Sequence, residues 1–217
     1  MANSKFSWSE YQRMPIIGII RGLPKETIFK IADVYAQSGF TNLEVTMNTP
    51  EVAEVIATLR TSHPNINIGA GTVRNLGDLD IALNAGAQFI VSPVTIKDTI
   101  TACDKNKIPI FAGAYSPTEI YNAWDWGASA VKVFPANNLG PQYMKNVMAP
   151  LDNIKLVPTG GINLDNINSY FEVGVFGVGL GSALFDKQIL SSCNYDLLSK
   201  HFLKYKSTIE KATTSRD

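Results

Sequence analysis

Eight short apolar runs, spaced along the chain by amphipathic stretches, restrict the possible folds more than any other feature. The runs are PIIGIIR (15–21), TNLEVTM (41–47), NIGAGTV (67–73), QFIVSP (88–93), IPIFAGA (108–114), AVKVFP (130–135), IKLVPTG (154–160) and FGVGLGS (176–182). Each has the length and residue types of a strand. Between the first two, PKETIFKIADVYAQSG (24–39) opens on Pro, carries an early Glu and closes at Gly, which are helix start and stop signals. Segments 50–62 and 163–174 follow the same pattern. Residues 188–212 predict one last helix, and 4–14 a short leading one. This many βα units fit an open doubly wound sheet or a closed barrel. Strands are near-continuously apolar in both, because helices cover both faces. Three features favour the α/β alternative with a closed wall, a (β/α)8 TIM barrel with a short N-terminal helix. The unit count is right, no strand resembles an antiparallel edge, and glycine-rich ends (PTGG and GLGS) fall on the last two strands. No low-complexity linker divides the chain, so one domain over 1–217 is expected.

Composition excludes several classes. The chain has 19 basic and 19 acidic residues and no prominent run of like charge, which argues against nucleic acid or a membrane surface as partner. Its apolar runs fall far short of the roughly 20 residues that span a bilayer. The segment MANSKFSWSE is polar and lacks the apolar core of a signal peptide. Cys103 and Cys193 have no CxxC or metal-ligand spacing and are read as reduced thiols of a cytoplasmic protein. His63 and His201 are far apart and are read as surface or loop histidines. No metal cluster is visible.

Lys132 is the anomaly. It sits inside AVKVFP, where an ammonium group is costly to bury without a partner. Side chains alternate along a strand, so an inward Lys132 takes Ala130 and Phe134 with it and leaves Val131 and Val133 to the helices. Glu44 in LEVTM poses the same puzzle and shares a face with Thr46. Thr72 shares the face of Ala70, and Arg21 that of Ile17 and Ile19. A buried Lys132–Glu44 ion pair is one reading, although such pairs contribute little to stability. The other reading is chemical. Active sites of this architecture lie at the C-terminal strand ends, and an amine in a low-dielectric pocket has a depressed pKa. A neutral lysine amine attacks ketones and forms a Schiff base, whose iminium accepts the electrons of a neighbouring C–C bond. A buried carboxylate fits the accompanying proton transfers.

An ordered series of motifs, LEVTMNTP, GAGTV, IVSP, SPTE, VKVFPA, PTGGI and GLGS, carries a resemblance to the bacterial 2-keto-3-deoxy-6-phosphogluconate aldolases, including their 4-hydroxy-2-oxoglutarate and phosphogalactonate branches. It covers roughly residues 8 to 190. The resemblance implies a (β/α)8 barrel, a homotrimer and a class I mechanism with no metal or organic cofactor. The implied ligands are a phosphorylated keto-acid substrate and pyruvate. It puts the Schiff base on Lys132 and the general acid/base on Glu44. It implies that Thr72 holds the keto-acid end, that Pro93 and Phe134 wall the pocket, and that Gly160, Gly161, Gly181 and Ser182 cradle the phosphate. Glycines suit a cradle because backbone N–H groups can then approach the anion closely.

One position departs from the pattern. The gluconate-type motif usually reads LEVTLRTP, with a substrate-binding arginine, whereas this chain has Asn48. Asn48 and GPQY (140–143) are similar to the phosphogalactonate branch, while Thr159 in PTGGI looks like the gluconate type. Arg21 is a candidate for the missing cation, with a solvated strand-end residue as its alternative. A phosphate-binding barrel enzyme without a Schiff base and a non-catalytic sugar-phosphate binder remain as other readings. GVGLGS (177–182) resembles a dinucleotide fingerprint but has no following βαβ unit.

Overall fold

A computed structural model describes residues 5–214, so the start of the polar leading segment lies outside it. The elements alternate as α1 (Trp8–Arg13), β1 (Ile16–Ile20), α2 (Lys25–Gln37), β2 (Asn42–Thr46), α3 (Val52–Ser62), β3 (Asn67–Gly71), α4 (Leu76–Asn84) and β4 (Phe89–Val91). They continue as α5 (Lys97–Lys105), β5 (Ile110–Ala114), α6 (Pro117–Asp125), β6 (Ala130–Val133), α7 (Gly140–Met148), β7 (Leu156–Pro158), α8 (Ile167–Glu172), β8 (Val178–Leu180), α9 (Lys187–Ser191) and α10 (Tyr195–Thr214). Every strand falls inside a run expected from the sequence. The expected last helix is two helices instead. Cys193 takes a left-handed φ of 50°, which ends α9 and lets Asn194 lead into α10.

The eight strands are all parallel and form one sheet, in which β1 pairs with both β2 and β8. A Thr159–Gly179 bridge joins the ends of β7 and β8 and brings the sheet round to a (β/α)8 barrel. The bridge depends on Gly179, because a Cβ there would lie 2.3 Å from Thr159 Oγ1.

Two cores follow from strand alternation. Leu43, Val45, Ile68, Ala70, Val131 and Val133 pack outward under the helices. Ile17, Ile19, Phe89, Val91, Phe111, Ala130 and Val157 fill the barrel, with Tyr11 of α1 plugging its N-terminal end. Gly177 gives Tyr11 that room, since a Cβ would lie 2.3 Å from its hydroxyl oxygen. The inner positions of β3 are therefore Asn67, Gly69 and Gly71, and Ala70 belongs to the outer shell. Thr72 follows the strand at φ 58°, so alternation does not carry through it and the shared face with Ala70 expected from sequence is not formed.

Local sequence sets the loops at the C-terminal end. The SPTE motif is a capping box: Ser116 Oγ accepts from Glu119 N, and Glu119 accepts from the Ser116 backbone N at 2.7 Å. Pro117 opens α6 behind it. Tyr143 of the GPQY segment donates to the Tyr115 carbonyl at 2.6 Å and ties α7 to the loop after β5.

Candidate active site

A cleft of about 650 Å³ opens at the C-terminal end of the barrel, a volume typical of small-ligand sites. Its basic lining residues are Arg21, Lys132 and Lys187, and among the described residues no Asp or Glu lines it. In a chain of zero net charge, the Arg21 and Lys187 cations give this cleft a positive bias that suits an anion.

Lys132 reaches the cleft from β6, where its backbone registers with Gly113 and Val157. It is 5 % exposed. Its Nζ lies 5.3 Å from the Phe134 ring centroid. Burial pulls its pKa below the ordinary lysine value. The Glu44 carboxylate opposes that shift, and Arg21 reinforces it. Glu44 projects inward from β2, on the opposite side of the barrel, and is 1 % exposed. Burial pushes its carboxyl above the ordinary range, against the pull of Lys132 and Arg21. Neither Glu44 oxygen has a hydrogen-bond partner among the described residues. The two side chains thus influence one another without an ion pair within 4.0 Å. Both shifts favour uncharged forms, an amine with a free lone pair and a carboxyl that holds its proton.

The residues singled out in the sequence divide into two sets. Arg21, Lys132, Phe134, Thr159, Gly160, Gly161, Gly181 and Ser182 all line the cleft. Glu44, Asn48, Thr72 and Pro93 do not. Asn48 is exposed on the loop after β2, while Thr72 and Pro93 are half-buried. The chain at Pro93 folds inward over β5. A Cβ on Gly113 would lie 2.3 Å from the Pro93 carbonyl carbon, and Thr95 Oγ1 donates to the Gly113 carbonyl at 2.7 Å. Sequence reading missed Lys187 and Asn163 on the lining. Lys187 opens α9 directly after its N-cap Asp186, five residues past Ser182, so a helix-start signal close behind GLGS was the available clue.

The glycines have different reasons to be glycine. Gly160 and Gly161 take left-handed φ values of 95° and 75°. A Cβ at Gly161 would also lie 2.4 Å from Asn137 Cβ. Gly181 has an ordinary φ, and a Cβ there would meet nothing within 4 Å. The backbone N–H groups of Gly161, Ser182 and Ala183 meet no acceptor among the described residues and border the cleft. Together they present donors to an anion. Among the described residues, no group of three or more His, Cys, Asp and Glu side chains is placed to hold a metal ion. His63 pairs with Asp33 at 3.0 Å, and His201, half-buried in α10, meets the Ala183 carbonyl at 2.9 Å.

Known proteins resemble this chain over most of its length. The chain matches the family model described as KDPG and KHG aldolase over residues 9–201. It is 31 % identical over 192 residues to the 2-dehydro-3-deoxy-phosphogluconate aldolase of Haemophilus influenzae, covering 88 % of this chain and 89 % of that one. It is 30 % identical over 175 residues to the 2-dehydro-3-deoxy-6-phosphogalactonate aldolase of Escherichia coli K12, covering 80 % and 85 %. Among solved structures, a KDPG aldolase from Legionella pneumophila, with pyruvate captured at low pH as a covalent carbinolamine intermediate, superposes with a TM-score of 0.83 and 29 % identity. It covers 90 % of this chain and 95 % of that one. With a cationic barrel-end cleft, a buried amine at its floor and a family match over most of its length, the chain belongs to the KDPG and KHG aldolase family of carbon–carbon lyases.

Proposed function

We propose that this aldolase cleaves 2-keto-3-deoxy-6-phosphogluconate to pyruvate and glyceraldehyde 3-phosphate through a Schiff base on Lys132. One observation carries the proposal: a buried amine, its pKa depressed by desolvation, lies on an otherwise cationic cleft without a carboxylate in ion-pair contact.

The Lys132 amine adds to the C2 ketone to give a carbinolamine. Glu44, directly or through water, moves the protons needed to expel water and form the iminium. A carboxylate form of Glu44 then accepts the C4 hydroxyl proton as the C3–C4 bond breaks. The bonding pair passes to C3 and is held as the enamine, and C4 departs as the aldehyde carbon of glyceraldehyde 3-phosphate. Protonation at C3 and hydrolysis free pyruvate and return the amine. Phe134 walls the keto-acid end from the cleft lining; Thr72 and Pro93, on the loops after β3 and β4 and off that lining, are assigned to the same end by the motif resemblance alone. Arg21 supplies positive charge in place of the arginine that the gluconate-type motif carries at the position of Asn48. Gly160, Gly161, Gly181 and Ser182 receive the phosphate, with Thr159 on the same lining as a further substrate contact and Lys187 adding charge. The 217 residues act as one catalytic unit that assembles as a homotrimer. Leu76, Ile81, Val94, Tyr115 and Tyr121 are exposed apolar residues on neighbouring βα units and suit such an interface. An exposed free thiol at Cys193 fits the reducing cytoplasm.

A second reading is the phosphogalactonate epimer, favoured by Asn48 and by GPQY. The related 4-hydroxy-2-oxoglutarate, which lacks a phosphate, is a further candidate substrate. Trapping with pyruvate and borohydride tests the chemistry, with the adduct expected on the Lys132 peptide and absent from Lys132→Ala. Labelling that survives that substitution contradicts it. Assaying both epimers side by side then decides the substrate.

A further inference from the structure

The inner face of β3 is a row of small positions, and each glycine in it is occupied by a side chain from another strand. Gly69 receives the ring of Phe89, since a Cβ there would lie 2.5 Å from Phe89 Cε1. Gly71 receives Glu44. A Cβ at Gly71 would lie 1.5 Å from Glu44 Oε1, 2.1 Å from Cδ and 2.5 Å from Cγ. Backbone conformation does not explain this glycine, because its φ lies outside the left-handed range. The register adds a direction. Glu44 pairs with Gly69, yet its carboxyl group lies over Gly71. The side chain therefore leans two residues, roughly 6.6 Å of strand, toward the C-terminal end where the cleft opens. The seat at Gly69 is filled by Phe89. With no hydrogen bond to either carboxyl oxygen among the described residues, shape is what places the group.

We propose that Gly71 is a positioning residue: its missing side chain forms the seat that advances the Glu44 carboxyl to the reacting end of the barrel. This rests on Glu44 being the proton-transfer group proposed above. A methyl at position 71 displaces the carboxyl while leaving Lys132 untouched on the far side.

A double-mutant cycle tests it, comparing wild type, Gly71→Ala, Glu44→Ala and the two substitutions combined. A further variant joins Glu44→Asp to Gly71→Ala. Gly71→Ala is expected to cut kcat about a hundredfold or more, as losing a general acid/base does, and to flatten the pH profile of kcat. The borohydride-trapped pyruvate adduct on Lys132 should still form within hours. The loss of Tm caused by Gly71→Ala should disappear in the Glu44→Ala background, where nothing fills the seat. Glu44→Asp, one methylene shorter, should restore part of kcat when added to Gly71→Ala. If Gly71→Ala is insoluble, the double variant with Glu44→Ala should be soluble. A Tm loss equally large without the Glu44 side chain, insolubility that persists in that double variant, or wild-type kcat and pH profile in Gly71→Ala each overturns the proposal. The Tm cycle reads the seat even if the wild-type protein cleaves no phosphosugar acid, so failure of the substrate reading is separable from failure of this one.

Discussion

Glu44 and Lys132 enter the barrel from β2 and β6, on opposite sides of its wall, both buried and with no ion pair within 4.0 Å. Desolvation is the leading cause of the pKa shift on each, and their mutual attraction only reduces it. A structural ion pair would close that distance and hold both charges. This separation instead leaves an amine free to react and a carboxyl free to exchange a proton.

Glu44→Gln keeps shape and removes proton transfer. Its kcat should fall by roughly a hundred- to ten-thousand-fold while KM changes little, because the group acts mainly in the transition state. The pyruvate adduct on Lys132 should still accumulate over hours. Wild-type kcat in Glu44→Gln would show that the acid/base lies elsewhere.

The same substitution should stabilise the fold, increasingly so as pH rises. The folded-state pKa of Glu44 is raised above its ordinary value of 4.5. Above pH 4.5 the unfolded chain releases this proton while the folded chain keeps it. Stability contributed by the protonated group is therefore complete below 4.5 and lost as pH climbs to the folded pKa. Glu44→Gln does not ionise, so its Tm advantage should be near zero at about pH 4 and grow toward neutrality. Between the unfolded and folded pKa values the advantage grows about tenfold in the folding equilibrium per pH unit. Calorimetry across pH checks the sign, and an advantage that shrinks with pH would refute it.

Arg21 lowers the pKa of both buried groups from the mouth of the cleft. Removing it as Arg21→Met should raise the Lys132 pKa. The acidic limb of adduct formation, measured as trapping rate against pH, should move upward. A solvated strand-end arginine would leave that limb in place.

The phosphate reading separates two glycines. Gly181→Ala adds a methyl to open space, so it should raise KM for the phosphorylated substrate and leave Tm unchanged. Gly161→Ala forces a φ of 75° on a side chain that also meets Asn137, and should cost at least about 1–2 kcal/mol of stability. Steady-state kinetics beside a thermal melt distinguishes them.

Lys187→Ala should raise KM for the phosphorylated substrate several-fold and spare unphosphorylated 4-hydroxy-2-oxoglutarate. Added salt should shrink the difference from wild type, since the interaction is an exposed charge attraction. Equal KM ratios for the two proteins would remove Lys187 from the site.

Local pattern alone determined the strands, favoured the barrel over an open sheet, and put Lys132 on one strand face with Ala130 and Glu44 on one with Thr46. Residue types and the two-residue period act within a few positions, and both faces of every strand had to be covered. Thr72 and Cys193 lie beyond the reach of pattern: each is a single left-handed residue that resets the geometry, and no side chain type announces it. The tertiary structure decided what the strands bring together. Barrel register sets Glu44 over Gly71, Pro93 over Gly113 and Thr159 against Gly179, and these contacts join residues 20 to 27 positions apart. It also put Lys187 on the cleft and Asn48 outside it. A glycine in the sequence signals that something passes close or that the chain turns. What approaches it is set by the stagger of one strand against the next, and that quantity exists only once the barrel has formed.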